Sequence, residues 1–335
     1  MNAPAPGAVL VTPTGVQDSP PELQYTDRRA WLYRRRRGVG SSDIAAICGL
    51  TTRRSALHIY LDKRGIAPAE KPDRRRDEAA EIGLLMEPVI AELVRRRTGL
   101  SVLPHPGTVA HVDEPWMLAS VDALLAEGDT APSGILEKKT RSEHQADEWT
   151  EDAPWEVQVQ VQWQMAVTGY TWAMIAAVIG GNQLVIHRLQ AEPVLHQDLR
   201  TIAARFWTDT QQGIEPPADG GDASRALLTA RWPKAAKGSV LHAAHDLVAP
   251  LLERRAHAKT VLDDWGQELS VVENRLRQIA GDHETVLVGG RPVYTLRSST
   301  HSSADTAALR TAGLYETYRK TTPVRTLQIV GEATQ

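Results

Sequence analysis

Three side chains in this 335-residue sequence have types and spacings that could act together. Asp122 follows the apolar run Ala119-Ser120-Val121, and Glu137 and Lys139 stand two apart in Leu136-Glu137-Lys138-Lys139. Along a strand, positions two apart face the same side. Glu137 and Lys139 therefore converge on one point, and a neighbouring strand can bring Asp122 beside them. Two carboxylates at one point make a hard, oxygen-only site suited to Mg2+ or Mn2+. The lysine would not be a ligand. Its ammonium could hold a water or a phosphate oxygen and offset charge in a transition state. Both acids sit on apolar strands, where an unpaired charge is costly, so each needs a metal or a salt-bridge partner. Chance surface charges give the same spacing, and the surrounding elements must decide between the two.

Those elements follow from periodicity. Residues 116–125 and 135–140 read as strands around Gly128 and Pro132-Ser133-Gly134. Residues 156–168 read as a helix, and 171–179 with 183–189 as a hairpin around Gly180-Gly181-Asn182. Upstream, Ile82, Met86, Val89 and Leu93 predict a helix over 77–98. Pro88 removes a donor inside it, which predicts a kink or fresh start with Glu87 at the irregularity. A helical pattern from Asp27 through Trp31 and Tyr33 runs into Arg34 to Arg37. Gly38-Val39-Gly40-Ser41-Ser42-Asp43 breaks it, and a new helix starts at Ile44 with Ser42 or Asp43 as N-cap. Helix, strand, strand, helix, strand, strand gives the α/β class, a mixed central β-sheet flanked by helices.

Composition divides the chain further. Residues 1–25 hold five prolines and read as a disordered arm, with a short strand at 9–11. Residues 26–212 form the core and 213–241 a Pro/Gly-rich linker. In 242–335, Ala258, Leu262, Trp265, Leu269, Val272, Leu276 and Ile279 alternate spacings of four and three. That is a coiled-coil-like seam on a long helix, for intrachain packing or a subunit contact. A hairpin follows at 286–288 and 293–296 around Gly289-Gly290. The single cysteine, Cys48, excludes a disulfide framework and a cysteine-ligated iron–sulfur cluster. The absence of a long apolar run excludes a transmembrane helix, and the N-terminus lacks a signal-peptide pattern, so a cytoplasmic location is expected. With a net charge of −3, an anionic partner must be met by local basic patches. Trp155, just before the 156–168 helix, and Trp163, within it, are the tryptophans that could lie near DNA.

Several motifs in order resemble the YqaJ-type viral recombinase exonucleases, related to phage lambda exonuclease within the PD-(D/E)XK nuclease superfamily. They are Arg36-Arg37-Gly38-Val39-Gly40-Ser41-Ser42-Asp43-Ile44, Gly83 to Glu87-Pro88, Ala119-Ser120-Val121-Asp122, Leu136-Glu137-Lys138-Lys139-Thr140, and Gln158 to Gly169. The resemblance implies a restriction-endonuclease-like core with a C-terminal helical and hairpin extension. It implies Glu87, Asp122 and Glu137 as acidic metal-site residues, with the carbonyl of Lys138 as a further ligand and two Mg2+ or Mn2+ ions. It makes Lys139 the catalytic lysine. Gln160 would touch the nucleophilic water or the scissile strand, and Gln164, one turn later, is a weaker candidate. Arg36 and Ser42 would bind a terminal 5′ phosphate. The implied reaction is 5′ to 3′ degradation of double-stranded DNA ends, leaving 3′ strands for a single-strand annealing recombinase. A ring-shaped homo-oligomer such as a trimer would accompany it. A structure-specific or restriction-type endonuclease and an inactive DNA-end-binding scaffold are the alternatives.

Overall fold

Trp172–Ile179 is apolar at every position, the composition of a strand covered on both faces. A computed structural model of the chain makes it an inner strand of a five-stranded sheet. The structure describes residues 8–9, 35–69, 73–104, 107–300 and 303–320. Two units divide at Arg231 and Trp232. The first contains β1 (Ala8–Val9), α1 (Ser41–Ile47), α2 (Ala56–Arg64), α3 (Arg74–Thr98), β2 (Ser101–Pro104), β3 (Thr108–His111), β4 (Leu118–Ser120), β5 (Ala123–Ala126) and β6 (Gly134–Arg141). A 3-10 helix at Glu143–Trp149 follows, then α4 (Trp155–Thr168), β7 (Trp172–Ile179), β8 (Gln183–Gln190), α5 (Pro193–Gln212) and α6 (Asp222–Arg231).

The main sheet has the order β2-β5-β6-β7-β8. β6 and β7 are parallel and every other pair is antiparallel. A parallel pair needs a crossover, and α4 is part of it. The two-residue period of β7 then sorts the core. Ala173, Ile175, Ala177 and Ile179 pack with Val157, Val161 and Met165 of α4. Met174, Ala176 and Val178 pack with Ile90 and Val94 of α3. β6 follows the same alternation, with Ile135 on the α4 side and Leu136 on the α3 side. The mixed sheet with helices on both faces is thus the fold class expected from the sequence.

Several elements differ from expectation. The predicted strand over 116–125 is two strands in two sheets: β4 lies in a β1-β3-β4 sheet and β5 in the main sheet. Asp122 sits at the switch between them rather than at a strand end. The helix predicted over 77–98 starts three residues earlier, where the Asp73 side chain accepts the Arg75 and Arg76 amides. It runs through Pro88 as one helix, because Ile90 and Val94 beyond the proline are buried against the sheet. α1 starts after Gly40, not after Ser42 or Asp43; Asp43 accepts the Gly40 amide from the third helical position. Within 213–241, α6 buries Leu227 and bonds Ser224 Oγ to Ser55 Oγ at 2.8 Å. The helical pattern over 27–34 and most of the 1–25 arm lie outside the described residues.

The second unit holds α7 (His245–Ala280), the hairpin β9 (Thr285–Val288) and β10 (Arg291–Thr295), and the short helices α8 (Thr306–Thr311) and α9 (Tyr315–Tyr318). Among the described residues, no helix is long and apolar enough to cross a membrane.

Candidate active site

Strand alternation on β6 divides the candidate residues between two faces. Glu137 and Lys139 point to the α4 side and Lys138 to the α3 side, as their partners show. Glu137 is 2% exposed, so its charge must be met inside the protein. Its Oε1 accepts the Lys139 ammonium and, at 2.6 Å, Gln160 Nε2. Lys139 Nζ also donates to Gln160 Oε1 at 3.2 Å. Glu137 Oε2 accepts Gln164 Nε2 at 2.8 Å, and the same amide donates to the Ser120 carbonyl at 2.9 Å. Gln160 and Gln164 stand one turn apart on α4 and so bracket a single carboxylate. One carboxylate oxygen is anchored deep between β4, β6 and α4; the other meets Lys139 and Gln160 at the cavity.

Asp122 immediately precedes Ala123, which pairs with Leu136, so the sheet register carries it next to Glu137. Its Oδ2 accepts the Lys138 amide at 2.8 Å. Burial and the nearby charge of Glu137 push its carboxyl up to about 7, against the opposing pull of Lys139. On the α3 face, Lys138 Nζ meets Glu87 Oε2 at 2.8 Å. Glu87, Asp122, Glu137, Lys138, Lys139 and Gln160 line one cavity of about 770 Å3.

Among the described residues, no three acidic, histidine or cysteine side chains converge closely enough to form a metal cluster. Glu137 is bonded on both oxygens and Glu87 is paired with Lys138. The donor chemistry nevertheless fits a hard divalent ion. Asp122, Glu137 and Glu87 are oxygen donors on one cavity wall. Asp122 is shifted upward first by burial and then by the charge of Glu137, which Lys139 only partly offsets.

The rim is built by a close backbone approach. A Cβ on Gly38 would lie 2.0 Å from the Trp116 carbonyl oxygen, so only glycine fits. The approach lets the Val39 amide donate to Trp116 O at 2.8 Å and the Leu118 amide donate to Val39 O at 2.9 Å. Threaded beside β4 in this way, Gly40, Ser41 and Ser42 open on the cavity together with Arg35, Arg53 and Arg141. Beneath them Asp43 is fully buried. Its oxygens lie 2.6 Å from Lys63 Nζ and 2.6 Å from Arg35 Nη2. Burial alone would raise its carboxyl; the charges and hydrogen bonds of Lys63 and Arg35 outweigh it and hold Asp43 well below the usual carboxylate range. At Arg141, burial and then the neighbouring Arg53 both disfavour the charge. Arginine stays protonated regardless, so this crowding favours an anion at the rim.

Asp122, Glu137, Lys139 and Gln160 are thus brought together, and Glu87 joins them through Lys138. Ser42 lines the cavity, whereas Arg36 lies off its wall, exposed, with Nε 3.9 Å from Asp62. Trp163 is fully buried and donates Nε1–H to Leu118 O, so it is a core residue and not a base-stacking one; Trp155 is exposed. Arg35, Arg53 and Arg141 were not singled out by the sequence. Arg35 lay unresolved within the Arg34–Arg37 run, and nothing in the spacing of Arg53 or Arg141 separates them from surface charge. Gln164 carried a signal, its one-turn offset from Gln160, and proves to be a direct partner of Glu137.

Residues 30–171 match the model of the YqaJ-like viral recombinase domain. The uncharacterized protein YqaJ of Bacillus subtilis (strain 168) is 29% identical over 310 residues, covering 89% of this chain and 92% of that protein. Among solved structures, an alkaline exonuclease (LHK-Exo) from Laribacter hongkongensis is 20% identical with a TM-score of 0.44, over 56% of this chain and 94% of its own. A phage-related exonuclease from Haemophilus somnus 129PT is 12% identical with a TM-score of 0.40, over 53% of this chain and 95% of its own.

Proposed function

We propose that this chain, whose residues 30–171 match the model of the YqaJ-like viral recombinase domain, is a metal-dependent exonuclease acting on the ends of double-stranded DNA. It degrades from 5′ to 3′ and leaves 3′ single strands for an annealing recombinase, in the cytoplasm of a bacterial or phage-infected cell. The observation that carries this reading is the cluster of Glu137, Lys139 and Gln160 beside Asp122, on the wall of a cavity rimmed by arginine.

The residues divide the work. Asp122, Glu137, Glu87 and the Lys138 carbonyl would hold two divalent ions, Mg2+ or Mn2+. Such an ion supplies Lewis-acid polarisation of the phosphodiester and a more acidic water. Lys139 holds its ammonium at the cavity side of Glu137, where it can orient the attacking water and offset charge on the phosphate. Gln160 bridges the same pair and fixes the lysine's direction. Water oxygen attacks phosphorus, the bond to the 3′ oxygen breaks, and a 5′-phosphorylated nucleotide leaves. At the rim, Ser42 and a guanidinium of the adjacent basic cluster would take the terminal 5′ phosphate. Arg36 is the arginine implied by the motif; Arg35, Arg53 and Arg141 are the ones on the cavity wall.

The test is a time course on end-labelled linear duplex with and without Mg2+, with closed circular duplex alongside. Mg2+-dependent release of nucleotides from 5′ ends, with the circle intact, is expected. Cleavage of the circle would replace the exonuclease reading with an endonuclease. Duplex binding with no metal-dependent product would leave a DNA-end-binding scaffold.

A further inference from the structure

We propose that Lys63 is a positioning residue for a phosphate seat on the cavity wall: it neutralises Asp43 from behind, so that the charge of Arg35 is directed at a DNA phosphate. This deepens the exonuclease reading and rests on it for the identity of the anion, the terminal 5′ phosphate. Lys63 lies on α2 with its side chain fully buried, and it is not among the residues that line the cavity. Its Nζ donates to Asp43 Oδ2 at 2.6 Å and to the Arg35 carbonyl at 2.6 Å. Asp43 Oδ1 already accepts Arg35 Nη2 at 2.6 Å. A carboxylate and a guanidinium are a complete pair, and taking an ammonium out of water is costly. One cation satisfies Asp43, yet the fold encloses a second beside it.

The second cation changes what Arg35 offers. Alone with Arg35, Asp43 would hold the guanidinium and compete with an anion arriving from the cavity. With Lys63 on its other oxygen, the three groups carry one more positive charge than negative. Lys63 cannot deliver that surplus, because it is enclosed. Arg35 can, because it lines the cavity with its side chain 19% exposed. The nearby acid does not remove the surplus: Asp62 is shared between Arg54 at 3.5 Å and Arg36 at 3.9 Å, and Arg54 also stands 3.7 Å from Asp43. Asp43 Oδ2 accepts the Gly40 amide at 3.1 Å as well, which fixes Arg35 relative to Ser41 and Ser42 on the same wall. A guanidinium beside a hydroxyl suits a terminal phosphate, which presents several oxygens to the planar fork.

Equilibrium binding to the full chain without Mg2+ tests it. The probe is a hairpin duplex with one open end, carrying either a 5′ phosphate or a 5′ hydroxyl, read by fluorescence anisotropy. Wild type should bind the phosphorylated end more tightly. Lys63→Gln keeps a donor to Asp43 but deletes the charge. It should reduce the preference for phosphate by about tenfold and flatten the extra salt dependence of the phosphorylated end. Where Lys63→Gln does not fold by circular dichroism, Lys63→Met takes its place with the same expected loss. Asp43 keeps Arg35 in both, so neither variant strands a buried charge. Lys63→Gln with Asp43→Asn removes both charges and should restore the preference, whereas a purely structural lysine would not be rescued by altering its partner. Added to Arg35→Gln, Lys63→Gln should cause no further loss, because it acts through that guanidinium. An unchanged preference in the folded single variant, a double exchange that fails to restore it, or a wild type indifferent to the phosphate would each overturn the role of Lys63. Digestion in Mg2+ answers separately. Digestion intact with the binding effect missing ends the role of Lys63 alone; the binding effect without digestion supports that role and ends the nuclease reading alone.

Discussion

Asp43 and Asp122 are enclosed carboxyls close to the same cavity, and the protein shifts them in opposite directions. Asp43 has a cation on each oxygen, Lys63 and Arg35, and is held below the usual range. Asp122 has a backbone amide for a partner and an acidic neighbour, and is pushed up to about 7. Burial is common to both, so burial does not explain the contrast; the balance of surrounding charge does. A compensated carboxylate serves the fold. An uncompensated one persists where something else must supply the missing positive charge, which is how perturbed acids mark functional sites. The same protein thus contains its own structural control for the candidate site.

The sharpest way to break this comparison is to remove the acids on the cavity wall. Asp122→Ala or Glu137→Ala should lower the rate of linear-duplex digestion in Mg2+ by more than about 10^3-fold, as expected for a group acting on the transition state. Asp122→Asn should do the same while leaving the melting temperature equal to wild type or higher, since it deletes a charge the fold leaves uncompensated. Undiminished digestion by any of these variants would end the site assignment. A large loss of thermal stability in Asp122→Asn would erase the distinction from Asp43.

Asp43→Asn should behave in the opposite manner. It strands Lys63, whose side chain is fully buried, without a counter-ion. Breaking a buried pair from one side costs roughly 3–5 kcal/mol. The pH dependence carries the same information. Asp43 has a depressed folded value, so its contribution is present above the ordinary 3.8 and is lost as pH falls below it. Burial keeps Lys63 below its ordinary value even beside Asp43, so the acid limb is the measurable one. Chemical denaturation between pH 7 and pH 3 should show wild type losing more stability than Asp43→Asn. Equal losses would mean that Asp43 contributes nothing through its charge.

A smaller effect separates the two oxygens of Glu137. Gln164→Met keeps the length of the side chain but removes the donor to Oε2 and to Ser120 O. Partners that orient a metal-binding carboxylate are typically worth about 10- to 100-fold in metal affinity or activity. The Mg2+ concentration giving half-maximal cleavage should rise by that factor, and calorimetric titration of Mn2+ without DNA should weaken in parallel. Unchanged metal dependence together with a lowered melting temperature would make Gln164 purely structural.

How much of this was legible depends on where the information lay. The β7–β8 hairpin and α4 were readable because a turn of Gly180, Gly181 and Asn182 and a clear change of period are local signals. Glu137 and Lys139 were readable because strand alternation is itself local, and it placed them on one face. The switch of sheets at Asp122 was not. Residues 116–125 look continuous in composition, and only the docking of Gly38 and Val39 against Trp116 and Leu118 shows that the first half belongs elsewhere. α5 left a trace in Leu199, Ala203, Phe206 and Thr210, which share one buried face at helical spacing. α6 did not, because it is short and lies among prolines and glycines. The persistence of α3 through Pro88 was unreadable for a related reason: the roughly 3 kcal/mol cost of an internal proline is local, while the burial of Ile90 and Val94 that offsets it is tertiary.

The smallest predicted effect concerns the rim, where the motif and the geometry differ. The motif implies Arg36 as the contact to a terminal phosphate. The geometry puts Arg53 on the cavity wall, 3.8 Å from Glu156 and near Arg141, whose charge it already disfavours. A phosphate there would relieve two crowded guanidinium groups at once. A hydrogen bond to a charged group contributes about 1.5–3 kcal/mol, so Arg53→Ala should slow 5′-phosphorylated ends by about tenfold more than 5′-hydroxyl ends. Arg36→Ala, beside Asp62 and off the wall, should slow both ends alike. If Arg36→Ala instead discriminates between the two ends and Arg53→Ala does not, the phosphate sits on the outer side of the arginine run. The cavity rim would then be a path for the strand rather than a seat for its terminus.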